Sequence, residues 1–508
     1  MGLRDITLHD LIRRNAAVYG GRPAWIEADD GRALTFAEVA ERVERLAAGL
    51  QRHGVRKGDR VGVLGKNSLE FFLLYGAAAA CGAIVLPVNW RLSAEEAAFN
   101  LADGRPRLLF VDAEYQELVG AHRGRLSSVE ACFNLKPPGG GFEPFGGLLE
   151  TGAAFAPVDA AGDDGWTIIH TAAVAGRPRG ALVSHRNLVC AAVQLNLLLQ
   201  MSPADVHLNL LPLFHVGGLF MAVQAFCAGA LNVNMGRFDA AAAAELIERH
   251  GATVLFDFSP ILEGILDQHE RAGKKIDSLR KVIGLERPEV IERYRKLTGG
   301  TFYCMYGQTE TAAIATFGRS DERPGSAGRP VPFAQVGLLD EDDRPVAAGS
   351  VGEIAVRGPL VFAGYWDLPE DTARTFRGGW HHTGDLGRFD ADGYLFYSGR
   401  KPEKELIKPG GENVYPAEVE TAILQHPDVE RAVVFGVPDP RWKEAVKAVC
   451  QLKPGRQLAA AELIAFVGGR IASFKKPRHV EFVAAMPLAA DGSPDRKKIK
   501  DAHGGASG

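Results

Sequence analysis

The chain has 508 residues, of which 46% are apolar and 24% charged, and its formal net charge is −4. This composition is typical of a folded globular protein with two or three domains, and it excludes a fibrous or disordered chain. The basic residues are scattered, which indicates no nucleic-acid partner. A cytoplasmic location is favoured, because the six cysteines form no C-x-x-C pair and the chain shows no export-signal pattern.

The first part of the chain alternates predicted helices and strands. Capping-box spacing at positions 35 and 38 predicts a helix, and an apolar strand pattern follows at 61–64. The uncharged stretch 71–88 is long enough to raise the question of a membrane span. Its interruption by two glycines and Pro87 favours a buried helix leading into a buried parallel strand, with no transmembrane segment. The alternation predicts a doubly wound, mostly parallel sheet.

The same alternation resumes from position 166, including a helix over 240–250 and a strand over 253–258. Beyond position 351 short strands with turn signals replace it, including a hairpin at Asp392-Gly393. We therefore predict an α/β fold, in which residues 1–400 form a large body of doubly wound sheets plus a small β-barrel-like region. Residues 401–508 are predicted to form a small C-terminal α+β domain.

Four segments carry the chemical information. Tyr306-Gly-Gln-Thr-Glu310 follows an apolar strand, and Thr383-Gly-Asp385, Gly399-Arg400 and Gly410-Gly-Glu-Asn-Val-Tyr-Pro416 come after it in that order. This ordered set resembles the acyl-CoA synthetases of the AMP-forming adenylating superfamily, and the resemblance covers nearly the whole chain. It implies ATP, Mg²⁺ and CoA as cofactor and co-substrates, a small-molecule carboxylic acid as substrate, and a mobile C-terminal domain.

The resemblance implies roles at the matching positions. Those matching ATP- and AMP-binding segments are Thr171, Gly176, Arg179, Tyr306, Gly307, Gln308, Thr309, Asp385 and Arg400. The implied catalytic residues are Glu310, Thr309 and His215; the acyl pocket matches Phe214, His215, Gly307 and Ala312; the CoA and thioester region matches Gly410, Gly411 and Lys476; and Glu405 matches the hinge.

These residue types suit the chemistry, although each also has a simpler interpretation. The Tyr306 ring offers a stacking face to adenine, and the Glu310 carboxylate is a hard ligand for Mg²⁺. Asp385, expected in a turn, can accept hydrogen bonds from ribose hydroxyls, or it can simply pair with an arginine. His215 borders the expected acyl pocket, but an isolated histidine is more often a satisfied core residue.

Two segments depart from the family pattern. The phosphate loop reads Thr171-Ala-Ala-Val-Ala-Gly176, so it lacks most of the family's hydroxyl groups, and Arg179 stands in place of a lysine. Ser493 occupies the position of the adenylation lysine, and loss of one such cation can cost roughly 10²–10³ in rate. Lys497 or Lys498 is a hypothetical substitute.

The sequence thus predicts an ATP-dependent acyl-CoA ligase that works through an acyl-adenylate, with a fatty acid favoured over an aryl acid. Two alternatives stay open. One is a degenerate member that binds acyl or adenosine ligands without adenylating them, and the other performs only the thioester-forming half-reaction. A homodimer is also left open.

Overall fold

The structure is a computed structural model that describes residues 6–137, 139–150, 152, 154–171, 178–401, 405–489 and 493–504. Most of the phosphate loop, including Gly176, lies outside the described residues. Residues 402–404, before the predicted hinge, also lie outside them.

The described residues form fifteen α-helices. They are α1 (Leu8–Tyr19), α2 (Phe36–Arg52), α3 (Leu69–Cys81), α4 (Ala94–Gly104), α5 (Gln116–Ala121), α6 (Gly146–Leu149), α7 (His185–Leu199), α8 (Val216–Cys227), α9 (Ala240–His250), α10 (Ile261–Ala272), α11 (Pro288–Thr298), α12 (Pro369–Thr375), α13 (Pro416–Leu424), α14 (Ala460–Gly468) and α15 (Arg496–His503).

The same residues form twenty-four strands. They are β1 (Pro23–Glu27), β2 (Ala33–Thr35), β3 (Arg60–Leu64), β4 (Ile84–Val88), β5 (Leu108–Val111), β6 (Ala131–Asn134), β7 (Gly165–Thr171), β8 (Arg179–Ser184), β9 (Val206–Asn209), β10 (Leu231–Asn234), β11 (Val254–Phe258), β12 (Lys281–Leu285), β13 (Thr301–Tyr306), β14 (Thr316–Arg319), β15 (Arg329–Pro330), β16 (Gln335–Leu339), β17 (Gly352–Arg357), β18 (Gly364–Tyr365), β19 (Phe376–Arg377), β20 (Trp380–Phe389), β21 (Leu395–Arg400), β22 (Val429–Asp439), β23 (Lys443–Leu452) and β24 (His479–Val483).

Two large mixed sheets form the N-terminal body. In the described chain one has nine strands in the order β15-β14-β13-β12-β11-β9-β10-β1-β2, and the other has seven in the order β18-β8-β7-β4-β3-β5-β6. Both are parallel at the centre. The nine-stranded sheet is antiparallel at both edges, and the seven-stranded sheet is antiparallel at its β18 edge and parallel at its β6 edge. The prediction of an α/β body built on mostly parallel sheets is confirmed.

Two smaller sheets complete the described fold. Strands β16, β17, β20 and β19 with β21 form an antiparallel sheet, which corresponds to the predicted barrel-like region. Strands β22-β23-β24 form a sheet with its own apolar core, packed on α13 and α14. The predicted small α+β unit near the C-terminus is therefore present.

The apolar stretch 71–88 folds as a buried helix followed by a buried strand. Ser68 caps α3 by accepting a hydrogen bond from the Phe71 N–H, and every residue of α3 is buried. Strand β4 is also buried throughout and pairs in parallel with β3. The predicted helix and strand are confirmed. No helix in the described ranges is long and apolar enough to cross a bilayer.

Candidate active site

A cavity of about 730 Å³ lies where three of the sheets and the C-terminal unit meet. Strands β9, β11, β12 and β13 are parallel neighbours, so their carboxyl ends share one edge of the nine-stranded sheet. Ligands of open α/β sheets bind outside this edge. The segments that follow these strands, including 307–310, form much of the cavity wall.

Most of the sequence-predicted nucleotide residues line this one cavity. The predicted residues in its wall are Thr171, Arg179, His215, Tyr306, Gly307, Gln308, Thr309, Glu310, Asp385 and Arg400. The structure does not place Phe214, Glu405, Gly410, Gly411 or Lys476 in that wall, and Ala312 borders a separate small cavity.

Asp385 is the centre of a hydrogen-bonded cluster. The Tyr306 hydroxyl and the Gln308 amide donate to its Oδ2 at 2.8 Å and 2.6 Å, and Arg400 Nε lies 3.2 Å from its Oδ1. The expectation of a turn at Asp385 is wrong, because the residue lies inside β20 directly opposite Arg400 of β21. Strand pairing thus fixes the carboxylate, and the Tyr306 and Gln308 side chains orient it toward the cavity.

Glu310 and Arg179 are linked through Tyr365, which the sequence did not single out. The Tyr365 hydroxyl donates to Glu310 Oε1 at 2.8 Å, and the Arg179 guanidinium lies 4.1 Å from the centre of the Tyr365 ring. Arg179 also approaches Asp371, with 3.4 Å between Nη1 and Oδ1. These contacts hold a carboxylate and a guanidinium on one side of the cavity.

His215 caps α8 at the cavity wall. Its Nδ1 accepts a hydrogen bond from the Gly217 N–H at 3.2 Å. Burial lowers the pKa of His215 to about 4, and the nearby charges of Lys408 and Arg91 act in the same direction. The imidazole is therefore neutral at pH 7, so it can position an acid by hydrogen bonding but not by charge.

Residues from the C-terminal unit close the cavity, and sequence analysis named none of them individually. They include Lys408, Asn413, Tyr415, Trp442 and Lys443. Burial lowers the pKa of Lys408, and Arg400 reinforces the effect. The match at 410–416 marked the neighbourhood of the first three, whereas Trp442 and Lys443 reach the site only through tertiary packing.

Gly410 supports the wall without lining it. Its N–H donates to the Trp442 carbonyl at 3.2 Å, and a Cβ added at Gly410 would lie 2.6 Å from the Trp442 ring. Its φ of 60° is in the left-handed region that favours glycine. A glycine is therefore needed for the loop to lie against Trp442.

Charged contacts dock the C-terminal unit on the body. Arg91 pairs with Glu412 at 3.1 Å, and Lys475 Nζ lies 2.5 Å from Glu96. Lys475 is buried in this contact, and the assignment of Lys476 to the CoA region stays a prediction.

Ser493 and α15, which carries Lys497 and Lys498, do not contribute to the described cavity wall. Lys498 Nζ instead lies 3.1 Å from Asp495 on its own helix. Substitution of these lysines for the missing adenylation lysine stays a prediction.

Comparisons with known proteins agree with this arrangement. The family model for AMP-binding enzymes matches residues 12–366, and the model for the AMP-binding enzyme C-terminal domain matches residues 418–492. The chain belongs to the AMP-binding enzyme family. Its relatives in this family include CoA ligases and a fatty acid–acyl-carrier-protein ligase.

Members of the AMP-binding enzyme family that are named for different acids all resemble this chain over most of its length. Indoleacetate–CoA ligase of Aromatoleum aromaticum is 35% identical and aligns over 97% of both chains. A variant of o-succinylbenzoate CoA synthetase from Bacillus subtilis is 28% identical, with a TM-score of 0.84 over 97% of this chain and 98% of that one. A fatty acyl CoA synthetase of Mycobacterium tuberculosis is 28% identical, with a TM-score of 0.72 over 98% of both chains.

Proposed function

We propose that the protein is an ATP-dependent acyl-CoA ligase that works in two steps at the described cavity. A substrate carboxylate oxygen attacks the α-phosphorus of ATP, and the bond to pyrophosphate breaks. The CoA sulfur then attacks the acyl carbon, the bond to AMP breaks, and the thiol proton is released. Activation is needed because a free carboxylate is a poor acyl donor to a thiol.

The observation that carries the proposal is the convergence on one cavity of Asp385, Arg400, Tyr306, Glu310 and residues of the C-terminal unit. The Asp385 carboxylate would accept hydrogen bonds from the ribose hydroxyls, and Arg400 would fix its position through the 3.2 Å contact. The Tyr306 ring would pack against adenine.

The Glu310 carboxylate would be the protein ligand for Mg²⁺. It borders the cavity on the side of Arg179 and keeps hard oxygens there. Mg²⁺ at nucleotide sites is usually held by one or two carboxylates together with substrate phosphates, so a single glutamate suits such a site. The ion would neutralise phosphate charge, and Arg179 and Thr171 would bind phosphate oxygens directly.

The C-terminal unit would serve the second step. We place its boundary at 400/401, with Glu405 as the hinge about which it swings between the two half-reactions. In the described orientation Lys408, Asn413 and Tyr415 line the cavity, whereas Ser493 does not. This difference supports the assignment of the described orientation to thioester formation. Gly410, Gly411 and Lys476 would then act beside the CoA path. A cytoplasmic location and the oligomeric state stay predictions.

The test is mass spectrometry of the purified protein with ATP, Mg²⁺, CoA and a panel of fatty and aromatic acids, beside a reaction supplied with synthetic acyl-adenylates. Acyl-CoA and AMP from the first reaction would support the full ligase. Asp385→Ala is the negative control, because it removes the proposed ribose ligand.

A partial catalyst is the second candidate, and Ser493 favours it. A serine offers no cation to the α-phosphate, while Lys408, Asn413 and Tyr415 of the C-terminal unit line the cavity. Acyl-CoA formed only from supplied adenylates would establish this candidate. Absence of product in both reactions would favour the binding-protein alternative.

A further inference from the structure

A second, smaller cavity lies behind the main one and contains an unusual polar side chain. It measures about 10 Å³, roughly room for one water molecule, and is otherwise lined by apolar side chains. Its wall is formed by Ala191, Ala192, Leu195, Phe220, Met221, Gln224, Phe256 and residues 312–314. The Gln224 amide is the one hydrogen-bonding side chain of this described lining.

The side-chain amide of Gln224 is buried without a hydrogen-bond partner in the described part of the chain. The residue is 1% exposed, and neither its Oε1 nor its Nε2 has a hydrogen-bond partner among the described residues. A buried amide without a partner costs about 1–3 kcal/mol, so natural cores rarely keep one. Gln194 on the adjacent helix α7 is a buried glutamine that has a partner, because its Oε1 accepts a hydrogen bond from the Phe333 N–H at 3.1 Å. The Gln224 amide is therefore poised to bind something that enters this cavity.

Helix α8 connects the two cavities. Gly217 lines the main cavity, and Phe220, Met221 and Gln224 on the following two turns line the small one. The rise along a helix places Gln224 about 10 Å beyond Gly217. The small cavity thus lies at the depth expected for the far end of a short acyl or aryl group whose carboxylate sits near His215.

Phe256 is the wall between the cavities. Its ring borders both of them, and a Cβ added at Gly217 would lie 3.1 Å from its Cε1. On the opposite side Ala312 and Ala313 have φ values of 47° and 79°, which are unusual for residues other than glycine. Such conformations concentrate at ligand sites, where the surrounding structure enforces them.

We propose that Gln224 determines acyl specificity: once the Phe256 ring turns aside, its amide hydrogen-bonds an uncharged polar group at the distal end of the acid. A hydroxyl, a carbonyl or a ring N–H would satisfy the amide, which both donates and accepts. A charged group is disfavoured, because the rest of the lining is apolar. The inference rests on the proposed ligase function and shifts the expected substrate from a plain fatty acid to an acid with a polar far end.

The test uses acids of matched size, 3-(4-hydroxyphenyl)propanoate and 3-(4-methylphenyl)propanoate. The wild-type protein should prefer the hydroxyl acid by about tenfold in kcat/KM, the effect of one buried hydrogen bond. Gln224→Met keeps the size of the side chain and removes its amide, so it should abolish or reverse that preference. Its melting temperature should be equal or higher, because the unsatisfied amide is gone.

Gln194→Met is the matched control. It removes a buried glutamine amide from α7 without touching either cavity, so it should lower stability but keep the preference between the acids. A wild-type protein that does not prefer the hydroxyl acid would overturn the proposal. So would a Gln224→Met variant that changes kcat/KM equally for both acids, or one that only raises the melting temperature, as expected if the amide binds water alone.

Calorimetric binding of the same two acids separates this inference from the ligase proposal. Preferential binding of the hydroxyl acid that is lost in Gln224→Met, without acyl-CoA formation from any acid, would keep the inference and overturn the ligase. Turnover of both acids with equal binding would support the ligase proposal and overturn the role of Gln224. Absence of both binding and turnover would overturn the role of Gln224.

Discussion

Asp385 is engaged on both carboxylate oxygens, Oδ2 by Tyr306 and Gln308 and Oδ1 by Arg400. Both lone-pair sites of Oδ2 are therefore used, whereas Oδ1 keeps a further lone pair that a ribose hydroxyl can use. The simpler interpretation, an aspartate paired with an arginine, and the ribose-binding hypothesis are therefore compatible. The arginine orients the carboxylate that the nucleotide would meet.

Asp385→Asn tests this role directly. It replaces a charged acceptor with an amide whose N–H₂ faces existing donors, so AMP affinity should fall about tenfold to a hundredfold by calorimetry. Asp342→Asn is the control, because Asp342 pairs with Arg344 on the surface and its side chain is 68% exposed. An unchanged Kd in Asp385→Asn would remove the residue from the nucleotide site.

Buried histidines make the stability of the protein depend on pH. Burial lowers the pKa of His207 to about 4, and the residue is 1% exposed, with its Nδ1 2.8 Å from Asn232 Oδ1. The unfolded chain binds this proton near pH 6.5, whereas the folded chain binds it only near pH 4. Protons therefore favour unfolding as pH falls from about 6.5 to 4, by up to about 3 kcal/mol at this residue.

His207→Gln should reduce the acid-induced loss of stability, because glutamine does not titrate and retains a hydrogen-bond donor for Asn232. The measurement is the melting temperature of wild type and variant between pH 7.5 and pH 4.5. His53→Gln, at a half-buried histidine, serves as a control for loss of a histidine. Parallel pH curves for wild type and His207→Gln would contradict the assignment.

At the scale of single elements the sequence was most informative where local chemistry decides the structure. The capping box at Thr35 begins α2 as predicted, and Asp392-Gly393 forms the hairpin between β20 and β21. Ends that tertiary packing sets are not visible in the apolar pattern: apolar residues continue beyond the end of β9 at Leu210 and Leu211, and beyond the end of α14 at Ile471 and Ala472. Apolar periodicity does not record where neighbouring elements stop covering a segment.

The loop at Gly410 supplies an element-scale prediction. Gly410→Ala places a methyl group against the Trp442 ring and should displace a wall of the cavity. We expect thioester formation from supplied acyl-adenylate to slow by roughly tenfold to a hundredfold, because small displacements near reacting groups are costly. Pyrophosphate release in the first step should change much less, if this loop serves only the second.

Gly455→Ala is the matched control for this loop. Gly455 lies in the same C-terminal unit with φ 74°, close to the 60° of Gly410, but an added Cβ would meet no atom within 4 Å. It therefore carries a similar backbone penalty without the collision. Equal kinetic effects of the two substitutions would show that backbone strain, and not contact with Trp442, limits the reaction.

For the whole molecule, sequence analysis identified those residues of the site that lie close together in the chain. The segment from Tyr306 to Glu310 and the pair Asp385 and Arg400 were found because motif spacing marks them, and all of them line the cavity. Tyr365, Trp442 and Gln224 were missed. Their positions depend on contacts between distant segments, and an isolated aromatic or amide residue has no sequence pattern of its own.

The orientation of the C-terminal unit leads to the last prediction. In the described arrangement Lys408, Asn413 and Tyr415 line the cavity. Arg496 and Lys500 of α15 pair with Glu405 at 2.9 Å. A hinge absorbs its motion in a few φ and ψ angles, and proline fixes φ. Glu405→Pro should therefore hold the unit near one orientation and slow one half-reaction much more than the other.

Glu405→Gln removes both ion pairs but keeps a free backbone, so it should affect the two half-reactions only slightly. The readouts are pyrophosphate release for the first step and acyl-CoA formation from supplied adenylate for the second. Equal slowing of both steps by Glu405→Pro would mean that residue 405 supports the fold and that any hinge lies elsewhere.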